Sequence, residues 1–125
     1  MPDENENQIP VITDSILLST RHSLGSERET TVFDGELIPL INTYLMMLHQ
    51  VGVGVDGFAV HDETETWQDF LGEDASRFEG VKTYVFIRTK LIFDPPISTH
   101  VTKVLEDTYK ELEWRLKVKS ENQLE

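Results

Sequence analysis

The chain contains no cysteine. That single absence removes disulfides, zinc–thiolate sites, iron–sulfur clusters and thiol nucleophiles, while leaving the redox compartment open. Basic residues are also scarce: 11 Lys plus Arg face 23 Asp plus Glu, a formal charge of −12. A general nucleic-acid binder needs a basic face to neutralise phosphates and release counterions. Docking on an anionic membrane needs the same, so both functions are disfavoured. No apolar run approaches the roughly 18–20 residues of a membrane span. The opening residues, MPDENENQ, carry neither the basic nor the apolar block of a signal peptide. Hydrophobic residues are few too, at 38%, against a usual ~45–50% that also counts glycine.

What remains suits one domain. A chain of 125 residues should bury about two thirds of its unfolded surface and fold alone with modest margin. With six Phe, three Tyr and two Trp, such a lean protomer is expected to gain stability from neighbouring molecules. Three regions are expected: an acidic, flexible arm over residues 1–13, a single helical domain over 14–118, and a polar tail over 119–125. No internal repeat is visible.

Helical periodicity dominates the domain. Asp14 is a plausible N-cap for a short helix carrying Ile16, Leu17 and Leu24 and closed by Gly25. From Phe33-Asp34 to about Gln50, residues Leu37, Ile41, Tyr44, Leu45 and Leu48 recur at steps of three and four. Pro39 requires either a helix starting near Ile38 or a distorted first turn. Gly52, Gly54 and Gly57 spell G-x-G-x-x-G, but they follow a helix and no Lys follows them, so a C-cap and turn is favoured over a phosphate cradle. Phe58-Ala59-Val60 reads as extended, then Thr64 or Thr66 caps a brief helix with Trp67, Phe70 and Leu71, ending at Gly72. Ser76 and Glu79 form a capping box for the next element.

Residues 81–93 are ambiguous. Val81, Thr83, Val85, Ile87, Thr89 and Leu91 alternate as in a strand. Phe78, Val81, Val85, Arg88 and Ile92 also trace a helical stripe, which Asp94-Pro95-Pro96 ends. The last element is a helix capped by Ser98, with Val101, Val104, Leu105, Thr108, Leu112 and Leu116 as its apolar stripe. Glu106–Lys110, Glu111–Arg115 and Glu113–Lys117 place acid four residues before base, the favourable order.

Signs of chemistry are thin. His61-Asp62-Glu63-Thr64-Glu65 is the densest group of metal-ligating types, yet it lacks H-E-x-x-H and EF-hand spacing and reads better as an acidic helix start. His22, His49 and His100 stand singly, and no G-x-S-x-G elbow supports a triad. Neither a metal nor a cofactor is expected. Trp67 reads as core. Trp114 lies off the centre of its stripe and is either a cap on the core or a partner anchor. The acidic surplus is a solvated surface, or else it repels or imitates DNA.

Three segments taken together carry a resemblance: INTYLMMLHQVGVG (41–54), ETWQDFLGED (65–74), and VKTYVFIRTKLIFDPPIS with the later LEWRL (81–116). They resemble the small head–tail connector proteins of tailed bacteriophages and prophages. In that pattern an apolar helix ends in an LGVG-like turn, a short Trp helix follows, and a V-K-T-Y-like helix breaks at Phe-Asp-Pro-Pro. The resemblance covers about residues 14–118 and leaves out the acidic arm. It implies a mainly α fold, a small bundle of about four to five helices with a long C-terminal helix, and hence a helix at 81–93.

It also implies a non-enzymatic virion protein at the phage neck, made in the host cytoplasm. Protomers would form a ring, commonly twelve-fold, beneath the portal protein, extend the DNA channel, and receive the next neck or tail protein. Acid lining such a channel would repel the passing genome. Trp114, Arg115, Leu116 and Val118 are the expected portal contacts. Val53, Val55, Asp56 and Phe58, in a loop expected to be flexible, are the expected contacts to neighbouring subunits or the next ring. A different class remains open, an acidic DNA-mimic inhibitor of a DNA-binding protein.

Overall fold

The computed structural model describes residues 14–25, 31–72 and 78–123. The expected arm at 1–13 and the Ser76 end of the expected capping box lie outside the described residues. Five α-helices occupy the described chain, which is mainly helical as the resemblance implied: α1 (Ile16–Ser23), α2 (Asp34–Gln50), α3 (Trp67–Leu71), α4 (Phe78–Phe93) and α5 (Thr99–Gln123). A 3-10 turn at Thr31–Phe33 leads into α2.

Helix α4 is the central strut, packing against α1, α2, α3 and α5. Residues 81–93 are therefore helical despite their β-branched content. Val81, Tyr84 and Val85 are fully buried on α4, because tertiary packing overrides the local preference for a strand. The core joins them to Ile16 and Leu17 of α1, Leu37, Ile41, Leu45 and Leu48 of α2, and Trp67 and Phe70 of α3. Trp67 donates from Nε1 to the Ser19 hydroxyl at 2.9 Å and meets Phe86 edge-on with centroids 6.0 Å apart.

Several ends differ from the sequence reading. The N-cap of α1 is Ser15, not Asp14: its Oγ accepts from Leu18 N–H at 3.2 Å. Helix α2 begins at Asp34 and carries Pro39 inside it. The exposed Gly35 lies one turn before, and even an added Cβ there would meet nothing. Thr66 caps α3 in a reciprocal box with Asp69. Ser98 caps α5 as expected, accepting from Val101 N–H at 3.3 Å. The expected tail from Lys119 is instead helix up to Gln123. Buried Ser120 there donates to Gly52 O at 3.0 Å, tying the end of α5 to the end of α2.

The stripe expected to bury α5 is also rotated. Val101 and Val104 are exposed, whereas Leu116 and, in part, Leu105, Tyr109 and Leu112 face inward. Of the three acid–base pairs expected along α5, Arg115–Glu111 closes, at 2.6 Å. Lys103–Asp107 closes at 3.2 Å, with its base first.

Candidate assembly interfaces

The glycine loop is a helix stop. Gly52 N–H bonds His49 O at 2.9 Å and Val53 N–H reaches back to Leu48 O at 3.0 Å, the paired bonds of a Schellman cap. Gly52 occupies its left-handed position at φ 96°. Gly54, at φ 86°, lies so close to the Phe70 ring that a Cβ would overlap it. Val55 N–H bonds Phe70 O at 2.9 Å. These amides are spent within the fold, so the loop offers no phosphate cradle.

The same bonds correct the expectation of a flexible loop. His49 reaches Gly54 O through Nδ1 at 3.2 Å and Asp56 through Nε2 at 3.2 Å. Of the four residues expected at a subunit contact, Val53 is fully buried as the apolar partner of the cap and cannot meet a neighbour. Val55 is exposed, the Asp56 side chain is 96% exposed, and Phe58 is half-buried against Phe70. Together with Met46 they line a cleft of about 160 Å³ between α2 and α3.

The expected portal contacts divide likewise. Leu116 is buried in the core, because α5 packs that side on α4, so it is no surface anchor. Arg115 is exposed but held by Glu111. Val118 is half-buried, and Trp114 is 61% exposed. A second apolar surface brackets the α4–α5 turn: Ile92, Ile97, Val101 and Val104 are all exposed.

The His61–Glu65 group organises a turn. Glu65 accepts from His61 N–H and Asp62 N–H at 3.0 and 3.1 Å. Burial pushes its carboxyl upward, but these bonds and the His61 ring hold it below the usual range. Asp62 is held low by the Thr64 hydroxyl and N–H. Among the described residues no group of three or more His, Asp or Glu is placed to hold a metal ion.

Two clusters escaped the sequence reading. Arg21 is only 5% exposed and bridges α1 to Asp34 of α2 at 2.6 Å and to Glu63 at 2.9 Å. The Asp34 bond raises its pKa first, burial opposes, and Glu63 adds to the rise. The Arg88 guanidinium lies over Tyr109, Tyr44 and Tyr84, 4.2, 4.9 and 5.6 Å from the ring centres, and donates to the Tyr84 hydroxyl at 3.0 Å. All three tyrosines of the chain thus share one cation. Burial raises the Tyr44 and Tyr84 hydroxyl pKa values, the guanidinium opposing it. Both clusters join distant segments, and the stripes that place Arg88 and Tyr44 on their helices do not reveal those partners.

The described residues form a helical bundle that leaves several large apolar side chains exposed, in a cysteine-free acidic chain. A family profile described as phage connector protein matches residues 16–123. The chain belongs to that family. The match spans all five helices and starts where α1 starts. No curated protein and no solved structure matches the chain. As a phage connector it is a structural virion protein of the head–tail junction. Among the described residues, no helix of the connector is long and apolar enough to cross a membrane.

Proposed function

We propose that this connector assembles as a ring, of about twelve copies by the resemblance, beneath the portal, where it prolongs the DNA conduit and offers a floor to the next neck or tail protein. It catalyses no reaction. Family membership over residues 16–123 is the observation that carries this reading. The surface supports it: a chain with so little apolar content leaves Ile92, Ile97, Val101, Val104 and Trp114 exposed, and surplus apolar surface marks contact sites. The α4–α5 turn, stiffened by Pro95 and Pro96, presents four of them at one tip, which suits contact with the ring above or below.

Charge fits the conduit. At −12 per copy, a ring surrounds the genome with like charge, which repels phosphate and keeps DNA sliding rather than sticking. Mixing the chain with its portal and imaging by negative stain tests the reading. Ring density beneath the portal is expected; a portal that stays bare at micromolar chain overturns it. A salt series on the assembled ring adds a check, since tight duplex binding at physiological salt would contradict a repelling lumen.

A further inference from the structure

Acidic and basic residues are unevenly placed. Residues 1–80 hold 16 of the 23 acids and three of the 11 Lys and Arg, a formal −13. Residues 81–125 hold seven acids and eight bases, a formal +1. Arg21 and Lys82 are buried, and Arg88 and Lys90 half-buried. Among the described residues every fully exposed Lys or Arg, namely Lys103, Lys110, Arg115, Lys117 and Lys119, lies on α5.

Their order on that helix is regular. Lys103, Lys110 and Lys117 recur every seven residues, so they fall on nearly one line. With about 100° per residue, that line lies opposite the inward stripe of Leu105, Tyr109, Leu112 and Leu116. Trp114 stands on it between Lys110 and Lys117, 61% exposed. Among the described residues neither of those two lysines closes an ion pair, and the pairs found on α5 are Lys103–Asp107 and Arg115–Glu111. A large apolar ring between two cations without an ion pair among the described residues suits an apolar site with an acidic rim.

We infer that the Trp114–lysine face of α5 docks on the cleft of a second copy of this chain, the one lined by Met46, Val55, Phe58 and Asp56. The inference rests on the ring reading and reassigns to a neighbouring copy the face first expected to meet the portal. Copies of net −12 repel one another, so an exposed cationic patch facing acid favours contact between neighbours, and among the described residues α5 holds the exposed cations. The cleft supplies the counterpart. Met46 and Val55 are exposed apolar walls, and Asp56 stands at the rim with its side chain 96% exposed. Height also matches. The Ser120–Gly52 bond fixes the last turns of α5 beside the loop that walls the cleft, and Trp114 lies about 9 Å along the helix from Ser120. Patches at one level suit a heterologous contact that closes into a ring rather than climbing into a filament.

A cysteine-free chain makes the test direct. Lys117→Cys gives a single thiol for a benzophenone maleimide, and mixing isotopically labelled and unlabelled copies on the portal separates contacts between copies from contacts within one. Cross-links to residues 45–58 of another copy are expected. Trp114→Ala should raise the concentration for half-assembly at least tenfold with circular dichroism unchanged. Lys110→Asp/Lys117→Asp should weaken assembly, and adding Asp56→Lys should restore part of it. Rings whose label lands on the portal, or elsewhere on the neighbouring copy, overturn this contact and leave the ring reading standing. Copies that never assemble, with portal or without it, overturn both.

Discussion

Residues 14–72 and the α4–α5 hairpin are stabilised by different means. In the first region, polar side chains staple apolar segments together. Asn42 donates to Val60 O at 3.0 Å and accepts from Val60 N–H at 2.7 Å, giving an extended segment the partner it lacks. Ser15 donates to Glu63 O at 2.9 Å, and Arg21 closes the seam between α1, α2 and the 61–66 turn. In the hairpin, α4 is buried deeply, whereas among the described residues of α5 only Leu116 and Ser120 are buried. The first region spends many polar side chains on its own fold; α5 leaves most of its described residues exposed. Perturbing each should therefore yield different readouts.

The largest expected effect is in the first region. Trp67→Ala removes a fully buried indole and the bond it donates to the Ser19 hydroxyl, and should cost about 3–5 kcal/mol in urea denaturation; a loss below about 1 kcal/mol would break the contrast. Arg21→Met keeps the volume but leaves Asp34 and Glu63 without their cation, and should cost about 2 kcal/mol by the same measurement. Thr89→Val goes the other way. The Thr89 hydroxyl is buried with no hydrogen-bond partner among the described residues, so an isosteric methyl should stabilise by about 1 kcal/mol, read as a rise in Tm. The smallest effect belongs to α5: Val104→Asp should leave monomer stability within about 0.5 kcal/mol. A large loss there would mean that the exposed stripe serves the protomer after all.

Much of the fold was legible from spacing alone. Leu37, Ile41, Tyr44, Leu45 and Leu48 all proved buried, because a wide apolar stripe on one helix is a strong local signal. The glycine loop was read correctly as a stop, since Gly52 follows the last periodic residue without a strand before it. Residues 81–93 were undecidable locally, as a helix buried on most sides also alternates; only the family resemblance resolved them. On α5, Val101 and Val104 belong to a stripe adjoining Leu105, Tyr109 and Leu112, and periodicity cannot say which of two neighbouring stripes meets the core. Leu116 was expected at the surface for its place near the chain end, although its spacing already put it on the apolar stripe, just as Val53 was misplaced by sharing a loop with the exposed Val55 and Asp56. Arg21, Asn42 and Arg88 act across long sequence separations, so no window around them reveals their partners.

The bond from Ser120 to Gly52 joins positions 68 residues apart. Helix ends ordinarily fray, opening and closing independently of the rest of the molecule. Here the final turns of α5 and the stop of α2 share a latch, and a Cβ on Gly52 would sit 2.7 Å from the Ser120 Cβ. Fraying at either end would break the bond that the other end shares. A pull on the C-terminal turns during docking would be felt at the loop as a change in amide protection, making one small polar contact the molecule's internal strain gauge.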